Sequence, residues 1–254
     1  MSIQTKIGKE QIGSREFWSI TNKVLGRGKS SVPTLINGPE VISSSVDKAE
    51  LFAKNFASNS TLDDKGCALP DYPTKTDKSL SNFTVSAKEV AKLIRALDST
   101  KATGPDNIPV VVLKNISPEL SPILAKVFNK CIHQNCFPSS WKISSVCPVY
   151  KNAGDRSSPS QYRPISLLSI MSKLLESVIN KRVTRHLTKN NLLCDEQYGF
   201  RSSRSTADVL TVITHRVSEA LDDGFMTRAV ALDISKAFDK VWHRGLLLKL
   251  SKNG

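Results

Sequence analysis

The sequence predicts a helix-rich α+β fold. Five stretches carry apolar residues at helical spacing, only two short runs read as strands, and no repeat of fixed period is visible. Taken in chain order, residues 1 to 80 hold no long amphipathic pattern. "GRGKSSVPTLINGPEVISSS" is punctuated by Gly, Pro and Ser like a linker. One helix is expected there, over "SVDKAELFAKNFAS", which opens on a Ser/Asp start signal and places Val46, Ala49, Leu51, Phe52 and Phe56 within reach of one face.

From residue 81 the pattern tightens. "SAKEVAKLIRALDS" carries a capping box, Ser86 with Glu89, and the stripe Val90, Leu93, Ile94 and Leu97. The next helix starts at Pro118, a favoured first-turn residue, with Leu120, Ile123, Leu124, Val127, Phe128 and Cys131 facing a core. "ISSVCPVYK" reads as a strand that Pro148 confines to an edge or a bulge, because proline donates nothing to a ladder. "SIMSKLLESVINKRVTRHL" is again helical, apolar at Ile170, Leu174, Val178 and Ile179 and basic at its C-terminal end, where cations suit the helix dipole. A helix from about Ser205 has the stripe Val209, Val212, Ile213, Val217, Ala220 and Leu221. "DDG" then turns the chain into a predicted strand, "TRAVALD".

The 254 residues are 39% hydrophobic, enough to build a core, and 36 Lys and Arg against 23 Asp and Glu leave a net charge of +13. Such a balance favours a polyanionic partner through counterion release. Between residues 142 and 216 there are 12 Lys or Arg and 5 Asp or Glu, so a surplus of seven, more than half the net charge, lies in under a third of the chain. The five cysteines, at 67, 131, 136, 147 and 194, show no zinc-site spacing and read as thiols of a reducing compartment. No apolar run approaches the ~20 residues of a membrane span, and "MSIQTKIGKE" has no apolar signal core, so an intracellular protein with no membrane partner is expected.

Asp233 follows Val230 and Leu232 at the end of a strand-like run. A carboxylate placed where the chain becomes buried wants a cation. Local pattern leaves two readings open, a metal ligand or an N-cap of the helix that follows. Asp239 reads as an ordinary acidic residue early in the helix "DKVWHRGLLLKL". Lys151 and Arg163 bracket "NAGDRSSPSQY", a polar segment whose two basic ends suit a phosphate group or are simply solvated. "YGFRSSRST" joins Tyr198 and Phe200 to Arg201 and Arg204, a mixture fit to grip phosphates and stack on bases. The other reading is two buried aromatics beside solvated arginines.

Read together, four segments stand in the order of one family. The chain resembles the reverse transcriptases of non-LTR (LINE-type) retrotransposons. "KATGPDNIP" is similar to their N-terminal motif and "YRPISLLSIMSKLLESVINKR" to their fingers motif with its long helix. "DEQYGFRSSRSTADVL" resembles the next motif, and "ALDISKAFDKVWH" the first catalytic palm motif. The resemblance implies the fingers and first palm strand of a right-hand polymerase, with 1–80 a connector, 81–226 fingers and 227–254 the start of the palm. By the same resemblance Asp233 binds the two Mg²⁺ ions of nucleotidyl transfer, with Mn²⁺ as a substitute. Phe238 stacks under the sugar of the incoming nucleotide, Lys151 and Arg163 hold its triphosphate, Tyr198, Arg201 and Arg204 contact the template, and Asp239 supports the motif locally. RNA template, DNA primer and dNTP are the implied partners, in a cytoplasmic ribonucleoprotein and in the nucleus.

The family also needs an Asp-Asp pair on a palm hairpin downstream of the first motif. The adjacent Asp pairs here, "LDDKG" and "LDDGF", both precede Asp233. The expectation is therefore a piece of a larger polyprotein with palm incomplete and thumb and endonuclease absent, inactive by itself, because Mg²⁺ demands near-ideal octahedral oxygen geometry. A truncated, non-catalytic nucleic-acid-binding relic is the alternative.

Overall fold

A computed structural model describes residues 32–80 and 82–254. Residues 1–31 of the expected connector lie outside the described residues. The described chain divides into two units: the described part of Met1–Phe56 with Pro148–Arg163, and Ala57–Cys147 with Pro164–Gly254.

The first unit contains two strands that the linker reading missed. β1 (Leu35–Asn37) and β2 (Glu40–Ile42) pair antiparallel in the register Leu35↔Ile42, Ile36↔Val41 and Asn37↔Glu40. Three residues are too short to display a two-residue period, but the turn is legible: Gly38 takes φ +62°, which glycine adopts without steric cost. α1 (Ser45–Ser60) follows, as its start signal predicts. Phe52 and Phe56 of α1 bury against Leu35 and Tyr162, while Val46 is exposed. Phe52 meets Tyr162 edge-on at 5.0 Å between ring centroids, an arrangement aromatic quadrupoles favour.

The second unit is built around α2 (Ala87–Ala96), α3 (Val110–Asn115), α4 (Ser117–His133) and α5 (Ile170–Lys189). Val90 and Ile94, Val110 and Leu113, Leu124 and Phe128, and Leu174, Leu175 and Val178 form one apolar core with Trp141. Of the stripes predicted on α2, α4 and α5, Ile123 departs most: it faces solvent, and Ser121 takes a buried place on α4, its hydroxyl donating to the Ser117 carbonyl at 2.6 Å. Ile179 also sits at the edge of the core. The capping box on α2 is half made. Ser86 accepts from the Glu89 amide at 3.2 Å, but the Glu89 carboxylate pairs with Arg182 of α5 at 2.9 Å, so tertiary pairing wins over the local bond. α3 escaped notice because six residues cannot show a helical period.

β3 (Ser144–Tyr150) pairs with β4 (Tyr162–Leu168) in a two-stranded sheet, where both strands are edges and Pro148 is tolerated. α6 (Thr206–Asp222) has the complete capping box, Ser205 with Asp208, yet buries none of its residues; Leu210, Ile213 and Leu221 are exposed. The predicted strand "TRAVALD" does not form. Residues 225–234 have no regular structure, and Val230, Leu232 and Ile234 lie open to solvent. A strand exists only with a ladder partner, and among the described residues none pairs with this run. The last helix, α7 (His243–Lys252), begins four residues after Asp239, so Asp239 lies in the preceding turn and not in a first helical turn.

Candidate functional site

Asp233 sits between Leu232 and Ile234 in that open run and is itself exposed. In a strand, successive side chains would alternate between faces, which would put Val230, Leu232 and Ile234 on one side and Asp233 on the other. The N-cap alternative fails, because residues 235–240 form turns, with Lys236 at φ +57°, before any helix starts. Lys236 is tied by its ammonium to the Asn59 side-chain carbonyl. Among the described residues no group of three or more His, Cys, Asp or Glu side chains comes together to hold a metal. A two-ion site needs several carboxylate oxygens around one place, so the residues present do not by themselves fit a metal pair.

The two other acidic candidates, the Asp pairs noted in the sequence, do not supply the missing ligands. Asp64 accepts from the Trp242 indole N–H at 3.0 Å, the Gly66 amide at 3.1 Å and the Arg244 guanidinium at 3.0 Å. Those bonds, led by Trp242, hold its carboxyl below the ordinary aspartate range. Its lone pairs are thus committed to anchoring α7. Asp223 closes the C-terminus of α6.

Phe238 is 80% exposed and meets Phe200, 93% exposed, edge-on at 5.8 Å. Phe200 takes φ +60°, a strained conformation for a bulky residue. The reading of Phe200 as buried is therefore corrected, and the arginines beside it reverse the other half of that reading. The Arg201 side chain is only 18% exposed and donates to the Cys194 carbonyl at 2.7 Å; the Arg204 side chain, 26% exposed, donates to the Asp195 carbonyl and lies over the Tyr198 ring at 5.1 Å. Both arginines close the loop 194–205 on itself, leaving the aromatic Phe200 outermost.

Lys151 and Arg163 belong to the other unit. The Lys151 amide donates to the Gln161 carbonyl at 2.9 Å, so the intervening segment closes into a loop with these cations near its base. Its course is fixed from within. Tyr150 donates to the Gly154 carbonyl at 2.5 Å, Tyr162 to the Arg156 carbonyl at 2.7 Å, and Asp155 accepts from the Ser157 hydroxyl and amide, which lowers its pKa. The Ile36 amide of β1 donates to the Ser157 carbonyl at 2.9 Å, so the hairpin read as linker braces this loop. The Lys151 ammonium is occupied by the Ser160 carbonyl at 2.6 Å, whereas Arg163 is exposed.

Sequence reasoning missed what joins the first two motifs. Ser169 donates to Asp106 at 2.6 Å, and Gly104 lies against the Leu168 backbone so closely that a Cβ would stand 2.4 Å from its carbonyl carbon. The Gly-Pro-Asp run was the available signal.

Comparison with known proteins agrees with these motifs. Residues 150–253 match the family "Reverse transcriptase (RNA-dependent DNA polymerase)". The chain is 30% identical over 242 residues to the "Probable RNA-directed DNA polymerase from transposon BS" of Drosophila melanogaster, covering 93% of this chain and 27% of that protein. It is 27% identical over 254 residues to the "RNA-directed DNA polymerase from mobile element jockey" of the same organism, covering 97% of this chain and 28% of that one. Against the "Retrovirus-related Pol polyprotein from type-1 retrotransposable element R1" of Bradysia coprophila the identity is 28%, covering 65% of this chain and 16% of the relative. The chain thus spans little more than a quarter of the length of the first two. No helix among the described residues is long and apolar enough to cross a membrane. The chain is a relative of the reverse transcriptases of LINE-type retrotransposons, and its residues 150–253 belong to the reverse transcriptase family.

Proposed function

We propose that the chain supplies the fingers and the first palm strand of an RNA-directed DNA polymerase, and that Asp233 is one of several carboxylates that hold its divalent metal pair, Mg²⁺ or Mn²⁺. The observation that carries this reading is the run around Asp233: Val230, Leu232 and Ile234, spaced two apart in sequence with the carboxylate between the last two, are all left in water. Burying one such side chain is worth about 1.5–3 kcal/mol, so a run of three left exposed is a surface made for a sheet neighbour. The remaining carboxylates come, in this reading, from residues beyond those described, as the much greater length of the relatives allows.

Phe238 then stacks under the sugar of the incoming dNTP, Arg163 and Lys151 hold its triphosphate, and Tyr198, Arg201 and Arg204 shape the template strand's path. Of the two cations, the Lys151 ammonium is bonded to the Ser160 carbonyl, whereas Arg163 is exposed and can offer its planar fork to a phosphate. RNA template and DNA primer are the macromolecular partners, and a cytoplasmic ribonucleoprotein and the nucleus the compartments this reading implies.

The test joins this chain to the region that follows the matching segment in the jockey polymerase and measures primer extension on an RNA template. Extension is expected, with Asp233→Asn slowing it roughly a thousand-fold, the loss of several kcal/mol of charge stabilisation. Arg163→Ala should raise the dNTP concentration required. Ordinary activity in the Asp233→Asn chimera would remove Asp233 from the site.

A further inference from the structure

The C-terminal half of α5 faces a cavity of about 600 Å³ whose wall carries Lys78, Arg182, Arg185, His186 and Lys189 beside the Phe83 ring, with no carboxylate among its lining residues. Arg182 is neutralised by Glu89 and stacks over Phe83 at 5.4 Å, yet its Nε is buried with no acceptor among the described residues. His186 already has partners at both ring nitrogens, Nε2 donating to the Asn253 carbonyl at 2.8 Å and Nδ1 lying 3.3 Å from the Asn190 side-chain nitrogen. Lys78, Arg185 and Lys189 are exposed and form no ion pair with another described residue. Three uncompensated cations beside an orphaned guanidinium N–H make a place for an anion.

We infer that this cavity binds the phosphates of a nucleic-acid strand, at a site separate from the Asp233 run. A single phosphate would leave most of the volume empty. Arg185 and Lys189 also belong to the neighbouring open face of α5, where Lys181, Thr184 and Thr188 add a charge and two hydroxyls. The cavity and this face share two cations, Arg185 and Lys189, so the basic surface runs along the helix as a track, the form a polyanion requires and a lone phosphate does not. The inference deepens the nucleic-acid part of the proposed function and rests on that part alone; it does not depend on the metal site.

The experiment titrates a labelled 15-nucleotide oligouridylate RNA against the 254-residue chain, its Arg185→Glu/Lys189→Glu variant and the conservative Arg185→Lys/Lys189→Arg variant, at several KCl concentrations. The charge-reversed chain should bind at least about tenfold more weakly at low salt. Its plot of log affinity against log salt should be shallower by about 1.4, the loss of two phosphate contacts at ~0.7 each on a single strand. The conservative variant should bind like wild type, and matching thermal melts check that all three are folded. RNA affinity and salt slope unaltered by charge reversal would overturn the inference. So would tight inorganic pyrophosphate binding that charge reversal abolishes without touching RNA affinity, since the site would then take free phosphate. Primer extension by the chimera can fail without altering these titrations, so the two readings fall separately.

Discussion

A methyl group on Gly104 would stand 2.4 Å from the Leu168 carbonyl carbon and 2.5 Å from its oxygen, with backbone, which cannot swing aside, as the obstacle. Gly104→Ala should therefore cost about 1–3 kcal/mol in urea denaturation. Gly199→Ala, with nothing within 4 Å of its added carbon, should stay within about 0.5 kcal/mol of wild type. That contrast separates two glycines that look alike in sequence. Helix starts were legible from the chain because their chemistry is local: Ser205 caps α6 where the sequence places its start, and its reciprocal bond with Asp208 is added by the structure. A residue's role was not legible where the partner is distant: nothing near Glu89 announces Arg182, and nothing near Asp64 announces Trp242, 178 residues away. Arg201 and Arg204 show the same limit, since charge alone does not reveal that backbone carbonyls of their own loop hold them.

At the scale of elements, long amphipathic stripes were the readable signal. α2, α4 and α5 appear with their apolar faces inward, while β1, β2 and α3 are too short to carry a period. The predicted strand before Asp233 failed for another reason, because strand formation is decided by a neighbour and not by the run itself. α7 shows how an end element is held without much burial: it leans on Asp64 through Trp242 and Arg244. The folded carboxyl titrates below its unfolded value, so this anchoring is fully present above the ordinary aspartate range and is lost only as pH falls through the lowered pKa. In an acid titration the Trp242 indole N–H resonance, assigned with Trp242→Phe, should hold its position down through the ordinary aspartate range and move only at lower pH. Asp64→Asn should remove that step. A resonance that moves at neutral pH would show that Asp64 is not its acceptor.

Across the whole molecule the chain shows packed parts beside open ones. A core joins α2 to α5, and a braced loop carries Lys151 and Arg163 near its base, whereas α6 buries nothing and the Asp233 run lies open, with Leu232 92% exposed. Exposed apolar stripes of this kind mark surfaces that other protein covers. Both belong to the segment matched by the reverse transcriptase family, in a chain spanning about a quarter of its longer relatives. As proposed above, Asp233 would hold metal together with carboxylates that are not among these residues. Templated DNA synthesis by the purified 254-residue chain, with Mg²⁺ or Mn²⁺ and a primed RNA template, tests it most directly. No extension above a protein-free control is expected; extension that is lost on Asp233→Asn would show instead that acids within this chain complete the site.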